Sequence, residues 1–176
     1  MVNKKNKSFW GSRFNKPTSK LFERVGSSID IDKRLFGEDI FASIVHVKML
    51  IKQKIIKKKI GNKIILGLNK ILKEIKKKKF KFSKKNEDIH LNIEKRLFKI
   101  IGPSAGYMHI ARSRNDQVVT DFKLWIKESS KLLINLLDKI CKNFLKKAEK
   151  NISTAMPGFT HLKNAQPIVF AHYLLA

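Results

Sequence analysis

A chain of 176 residues that is 43% hydrophobic and carries a formal charge of +25 is too apolar to be globally disordered, and it is long enough for one medium domain or a domain and part of another. The lone Cys141 excludes an intrachain disulfide and a cysteine-based metal centre, and reads as a small core residue. No apolar run approaches the roughly 18 uncharged residues that cross a bilayer, and MVNKKNKSFWGSRF lacks the apolar segment of a secretory signal, so the chain is expected in the cytoplasm.

The charge excess is almost all lysine and travels with abundant isoleucine and asparagine. These three residues share A- and T-rich codons, so base-composition drift on a solvated surface accounts for it. A basic stripe is also the footprint of a nucleic-acid or anionic-membrane partner, and that alternative stays open. Arg112 and Arg114, close together in a lysine-saturated chain, suggest places where a planar fork is needed rather than a point charge.

Residues 1–27 carry Gly11, Pro17 and Gly26 without a sustained period and read as an extended arm. A helix is expected to start near Asp32, a good N-cap residue, and to run through Leu35, Ile40, Ile44, Val47 and Leu50 at helical spacing. A second covers Lys57 to Lys77, with Ile60, Ile64, Leu68, Ile71, Leu72 and Ile75 as its apolar stripe and lysines as its wet face. After the charged connector KKKKFKFSKKNED, a third runs from Asp88 to Ile101 and stops at Gly102-Pro103.

From Asn115 to Asn151 there is neither glycine nor proline. One row follows Val118, Phe122, Trp125, the small Ser129, Leu132, Leu136, Ile140 and Phe144, and a second follows Val119, Ile126, Leu133, Leu137, Cys141, Leu145 and Ala148. Such a helix spans about 50 Å, and two apolar rows need neighbours on more than one side, as in a multi-helix bundle. The sequence after it supplies too few helices, so a longer or obligately assembled protein is expected. Pro157 and Pro167 bracket a stretch read as a loop between helices, and a last helix is expected within PIVFAHYLLA. No strand is predicted. The fold class is all-α, with an amino-terminal helical domain over 1–112 and the beginning of a long-helix bundle domain over 113–176.

Five polar segments are candidates for chemistry. Phe9-Trp10-Gly11-Ser12-Arg13-Phe14 is either a clamp or an arm packed on the surface. Gly26-Ser27-Ser28-Ile29-Asp30 suits a turn before a helix, and Glu87-Asp88-Ile89-His90 suits a helix cap. His109-Ile110-Ala111-Arg112-Ser113-Arg114-Asn115-Asp116-Gln117 makes poor core and odd surface. Backbone N–H groups at a helix start beside guanidinium groups suit a carboxylate-rich anion. In the Pro-bracketed stretch, Thr160-His161 can move a proton, since histidine titrates near neutral pH, although an isolated loop histidine is usually a bystander.

WGSRF, SSID, NEDIH, ARSRNDQVVTDFKLW and MPGFTHLKNAQP occur in the order and at the approximate spacing of the argininosuccinate lyases and δ-crystallins. The chain resembles the amino-terminal part of that family over essentially its whole length. Fumarases and aspartases share a Ser-Asn-Asp segment and a Thr-His loop, but not the Arg-Ser-Arg lead-in. The resemblance implies β-elimination of argininosuccinate to arginine and fumarate, in arginine biosynthesis, with no cofactor and no metal. It implies a homotetramer for the complete form and no nucleic-acid or membrane partner. It makes Ser28, Asp88, Arg114, Asn115 and Thr160 substrate-binding residues and His161 part of the acid–base machinery. The family's mobile serine loop is expected beyond Ala176, so this chain alone is expected to lack a whole active site. Departures from the family pattern include Ser12, Gly26, Ile110 and Lys163-Asn164. Two other readings remain: another fumarate-releasing lyase of the same superfamily, and a basic helical nucleic-acid-binding module.

Overall fold

The computed structural model describes residues 19–176, so the Phe9–Phe14 segment lies outside the described residues. Two compact units divide between Trp125 and Ile126. The first holds α1 (Lys20–Gly26), α2 (Ile29–Asp32), α3 (Phe36–Lys52), α4 (Lys58–Lys76), α5 (Ile89–Ile101) and the beginning of α6 (Arg114–Glu149). Short 3-10 turns over Lys33–Leu35, Lys84–Asn86 and Gly102–His109 link them. The second holds the remainder of α6, strands β1 (Ala155–Thr160) and β2 (Lys163–Val169), and α7 (Phe170–Leu175).

The core of the first unit follows from the apolar spacing. Ile40, Val47 and Leu50 of α3 meet Ile64, Leu68 and Ile71 of α4 and Ile89, Ile93, Leu97 and Ile101 of α5. Each of these fully buried side chains is worth about 1.5–3 kcal/mol of apolar burial. The lysines of α4 fall on the opposite, wet face, as its period demands. Asp88 caps α5: its Oδ1 accepts from the Leu91 N–H at 2.6 Å. Gly102 ends that helix at φ +70°, where a Cβ would be penalised.

Within the arm expected to be extended over residues 1–27, Lys20–Gly26 is the helix α1, and three further expectations need correction. The helix expected from near Asp32 is α3, which starts at Phe36, and Asp32 does not cap it. The Asp32 carboxylate is occupied across the fold, accepting from Ser28 Oγ at 2.5 Å and from the Ile89 N–H at 3.2 Å. Cys141 is exposed, together with the apolar residues around it on α6, Leu137, Ile140, Phe144 and Leu145.

The third correction is the Pro-bracketed stretch, which is a β-hairpin and not an irregular loop. Pro157 faces Pro167 and Thr160 faces Lys163 in an antiparallel pair. A two-stranded ribbon has only edge strands, where residues without an N–H are tolerated, so the prolines do not exclude pairing. The register shifts between Pro157 and Phe159. At Gly158 an added Cβ would come within 2.7 Å of the Gln166 carbonyl oxygen. Pairing continues to Val169, so α7 begins only at Phe170, whose N–H donates to the Thr154 carbonyl at 2.8 Å.

Candidate functional site

The polar segment entering α6 is pinned from several sides. His46 Nε2 lies 2.9 Å from the Ile110 carbonyl oxygen, and Ala111 takes φ +55°, a strained value for a residue with a Cβ. This turn sends consecutive arginines in different directions. Arg112 runs inward and donates through Nη2 to Ser43 Oγ at 3.1 Å. Burial pulls its pKa below the ordinary guanidinium value, against the opposing charges of Asp39 and Asp121. Arg114 stays partly exposed. Its Nη1 donates to Gln117 Oε1 at 2.8 Å, its Nη2 to Glu94 Oε2 at 3.1 Å, and its Nε lies 3.9 Å from Asp88 Oδ2.

Beneath Arg114 lies a fully buried polar cluster from three helices: Asp39 of α3, His90 of α5, and Gln117 and Asp121 of α6. His90 Nδ1 sits 3.0 Å from Asp39 Oδ1 and 3.5 Å from Asp121 Oδ2. Gln117 Nε2 donates to the same Asp39 Oδ1. Burial works to raise the Asp39 carboxyl, but the His90 ring and the Gln117 amide outweigh it and hold its pKa below the usual value. Asp121 goes the other way: burial first, then the charge of Asp39, pushes its pKa up to about 8. The two carboxyls therefore share one proton, as like charges in one buried site must.

Ligand atoms of Asp39, His90 and Asp121 lie within 4.8 Å of one another and could in principle hold a cation. The environment argues for a proton instead. Asp39 Oδ1 already serves two donors, and the Arg112 guanidinium supplies a fixed positive charge to both carboxyls.

The expected site residues divide between the units. Ser28, Asp88, Arg114 and Asn115 belong to the first. The Ser28 N–H donates to the Glu87 carbonyl at 2.9 Å and Ser27 Oγ to the same oxygen at 3.1 Å, which ties the SSID turn to the residue before Asp88. Glu87 takes φ +59° to present that carbonyl. Asp88 in turn stands beside Arg114, and Asn115 follows with its side chain exposed. Thr160 and His161 belong to the second unit: Thr160 closes β1, and His161 with Leu162 forms the two-residue turn, at φ +48° and +60°. Positive φ at both central residues is the turn geometry that matches strand twist, and it usually recruits Asn-Gly. Histidine and leucine there are strained, a pattern found at functional positions.

Asp39, Ser43, Glu94 and Asp121 were not legible as site residues. A signal existed for Ser43, which interrupts the buried row Ile40, Val47, Leu50. Asp39–Ser43 and Gln117–Asp121 are also i, i+4 pairs, each on one helix face. His90 and Gln117 lay inside highlighted segments, but nothing local placed them against each other.

Among known proteins, a family model described as lyase matches residues 12–176. The argininosuccinate lyase of Pelagibacter ubique strain HTCC1062 is 64% identical over 174 residues, which is 99% of this chain and 38% of that protein. That of Chelativorans sp. strain BNC1 is 46% identical over 99% of this chain and 37% of its own length. The chain thus spans under two-fifths of either relative. Among solved structures, an EDDS lyase in complex with formate superposes with a TM-score of 0.70 at 26% identity, covering 87% of this chain and 29% of that one. A fumarate lyase from Mesorhizobium sp. BNC1 shares the fold at a TM-score of 0.64 and 15% identity, over 92% of this chain and 37% of that one.

Proposed function

Since this chain belongs to the lyase family, we propose that it is the amino-terminal portion of an argininosuccinate lyase, acting in arginine biosynthesis in the cytoplasm. The observation that carries the reading is Arg114. Its guanidinium is held at the head of α6 between Gln117 and Glu94, partly exposed and beside Asp88 and Asn115. A fixed planar cation next to the exposed Asn115 side chain at a helix start suits a substrate carboxylate.

The reaction is an anti β-elimination. A base removes the Cβ proton, the electron pair spreads into the adjacent carboxylate, and the C–N bond breaks to leave fumarate and arginine. The costly point is the doubly charged aci-carboxylate, and preorganised cationic and N–H donors lower its energy most. Arg114 and Asn115 hold substrate carboxylates, Ser28 contacts substrate through its backbone and hydroxyl, and Asp88 lines the pocket of the first unit. Thr160 of the second unit is a further carboxylate contact in the complete enzyme. His161, on the strained hairpin turn, takes part in proton transfer. None of these roles needs a metal or cofactor.

The complete form is a homotetramer in this reading, and the apolar rows of α6 support it. Val119, Phe122, Leu133, Leu137, Ile140 and Phe144 are exposed, and each forgoes about 1.5–3 kcal/mol of burial until a partner covers it. No helix among the described residues is long and apolar enough to cross a membrane. A different fumarate-releasing substrate is the second reading, favoured by the likeness to EDDS lyase. Supplying the full-length protein with argininosuccinate, and separately with other N-substituted aspartates, separates the two by fumarate absorbance. Release from argininosuccinate whose kcat/KM falls by about a hundredfold or more in Arg114→Ala, while staying measurable, supports the proposal, and release only from another substrate refutes it.

A further inference from the structure

We propose that Gln117 is a positioning residue, a buried amide that transmits the orientation of Asp39 to the Arg114 guanidinium. It rests on the proposed role of Arg114 as a carboxylate contact. Gln117 is 1% exposed, and both ends of its amide are occupied: Nε2 donates to Asp39 Oδ1, and Oε1 accepts from Arg114 Nη1 at 2.8 Å.

The direction of this chain is set by chemistry. Asp39 is held ionised by its neighbours and can only accept. The Gln117 NH2 must therefore face Asp39, which leaves Oε1, the end that suits a guanidinium, facing Arg114. Asp39 is itself fixed by His90 Nδ1 at 3.0 Å. Three helices thus converge on one side-chain orientation.

The other partners of Arg114 differ in kind. Glu94 and Asp88 side chains remain 27% and 22% exposed, so they can yield to an incoming carboxylate. Gln117 cannot move without stranding buried groups, which is costly. An amide at this position also orients the guanidinium without neutralising it. A carboxylate there would consume the Arg114 charge and repel Asp39. The pairing therefore aims the guanidinium without adding a third carboxylate to Glu94 and Asp88.

The test is a double-mutant cycle in the full-length enzyme, using Gln117→Met, Gln117→Glu and Arg114→Ala. Gln117→Met keeps side-chain length and removes both hydrogen bonds; it is expected to raise KM for argininosuccinate by about tenfold to a hundredfold, with a smaller change in kcat. Gln117→Glu is expected to raise KM as well, by neutralising Arg114. In the Arg114→Ala background neither substitution should cost anything further, a non-additivity that a merely structural glutamine would not produce. Wild-type KM in either Gln117 variant, or losses that multiply with that of Arg114→Ala, overturns the inference. If Gln117→Met does not fold, the Gln117→Glu arm decides by the same criteria. A wild-type enzyme inactive on argininosuccinate refutes the proposed function instead. The 15N signals of the Arg114 guanidinium then decide the inference separately. Slow rotation that becomes fast in Gln117→Met upholds it, and unchanged rotation in that folded variant overturns it.

Discussion

Replacing Asp121 by asparagine should make the protein more stable, and by an amount that grows with pH. In the folded state Asp121 keeps its proton up to about pH 8, because burial and the charge of Asp39 disfavour ionisation, whereas its ordinary value is 3.8. Between those values the folded protein holds one proton more than the unfolded chain. Stability is therefore lost as pH rises, by about 1.4 kcal/mol per unit, until the folded group ionises too. Asp39, with its pKa lowered, is ionised in both states above pH 5 and adds no slope there. Asparagine keeps a donor for Asp39 and removes the titration. From pH 5 to 7.5 the advantage of Asp121→Asn should therefore grow by about 3 kcal/mol, a sizeable part of a typical domain's stability. Urea unfolding of both proteins at several pH values across that range measures it. Parallel stability curves would refute the shared-proton account of the cluster.

Two further substitutions test other parts of the structure. Asp88→Asn should hold stability within about 0.5 kcal/mol, since asparagine caps a helix as well as aspartate, yet it should weaken argininosuccinate binding because the proposed pocket loses a carboxylate that faces the substrate's cationic groups; thermal melting and KM, measured together, separate the two effects. Gly158→Ala should destabilise the hairpin by about 1–3 kcal/mol, because its Cβ meets the Gln166 carbonyl oxygen at 2.7 Å and backbone cannot swing aside; loss of the cross-strand amide contacts by NMR would report it.

What could be read from sequence was what depends on local periodicity. The stripe of α4 and the Gly102-Pro103 stop gave those elements to within a residue or two, and the gap in glycine and proline gave α6. The ARSRNDQ and GFTHLKNAQP segments carried the family resemblance without any structure. The errors came where a residue's partner is distant in sequence. Asp32 looks like a cap until Ser28 and Ile89 claim its carboxylate. Pro157 and Pro167 look like breakers until they face each other. Asp39 and Asp121 look like ordinary helix-surface acids, since nothing local says that three helices bury them around His90. Tertiary contact, not propensity, assigns all of these.

The claim on which the functional account stands is that the polar side chains at the head of α6 grip a small polycarboxylate. Asn115→Ala in the full-length enzyme tests it most directly, because the side chain is exposed and its loss should leave melting behaviour unchanged. The account predicts that kcat/KM for argininosuccinate falls by at least about a hundredfold. Turnover and affinity equal to those of the wild type would contradict it.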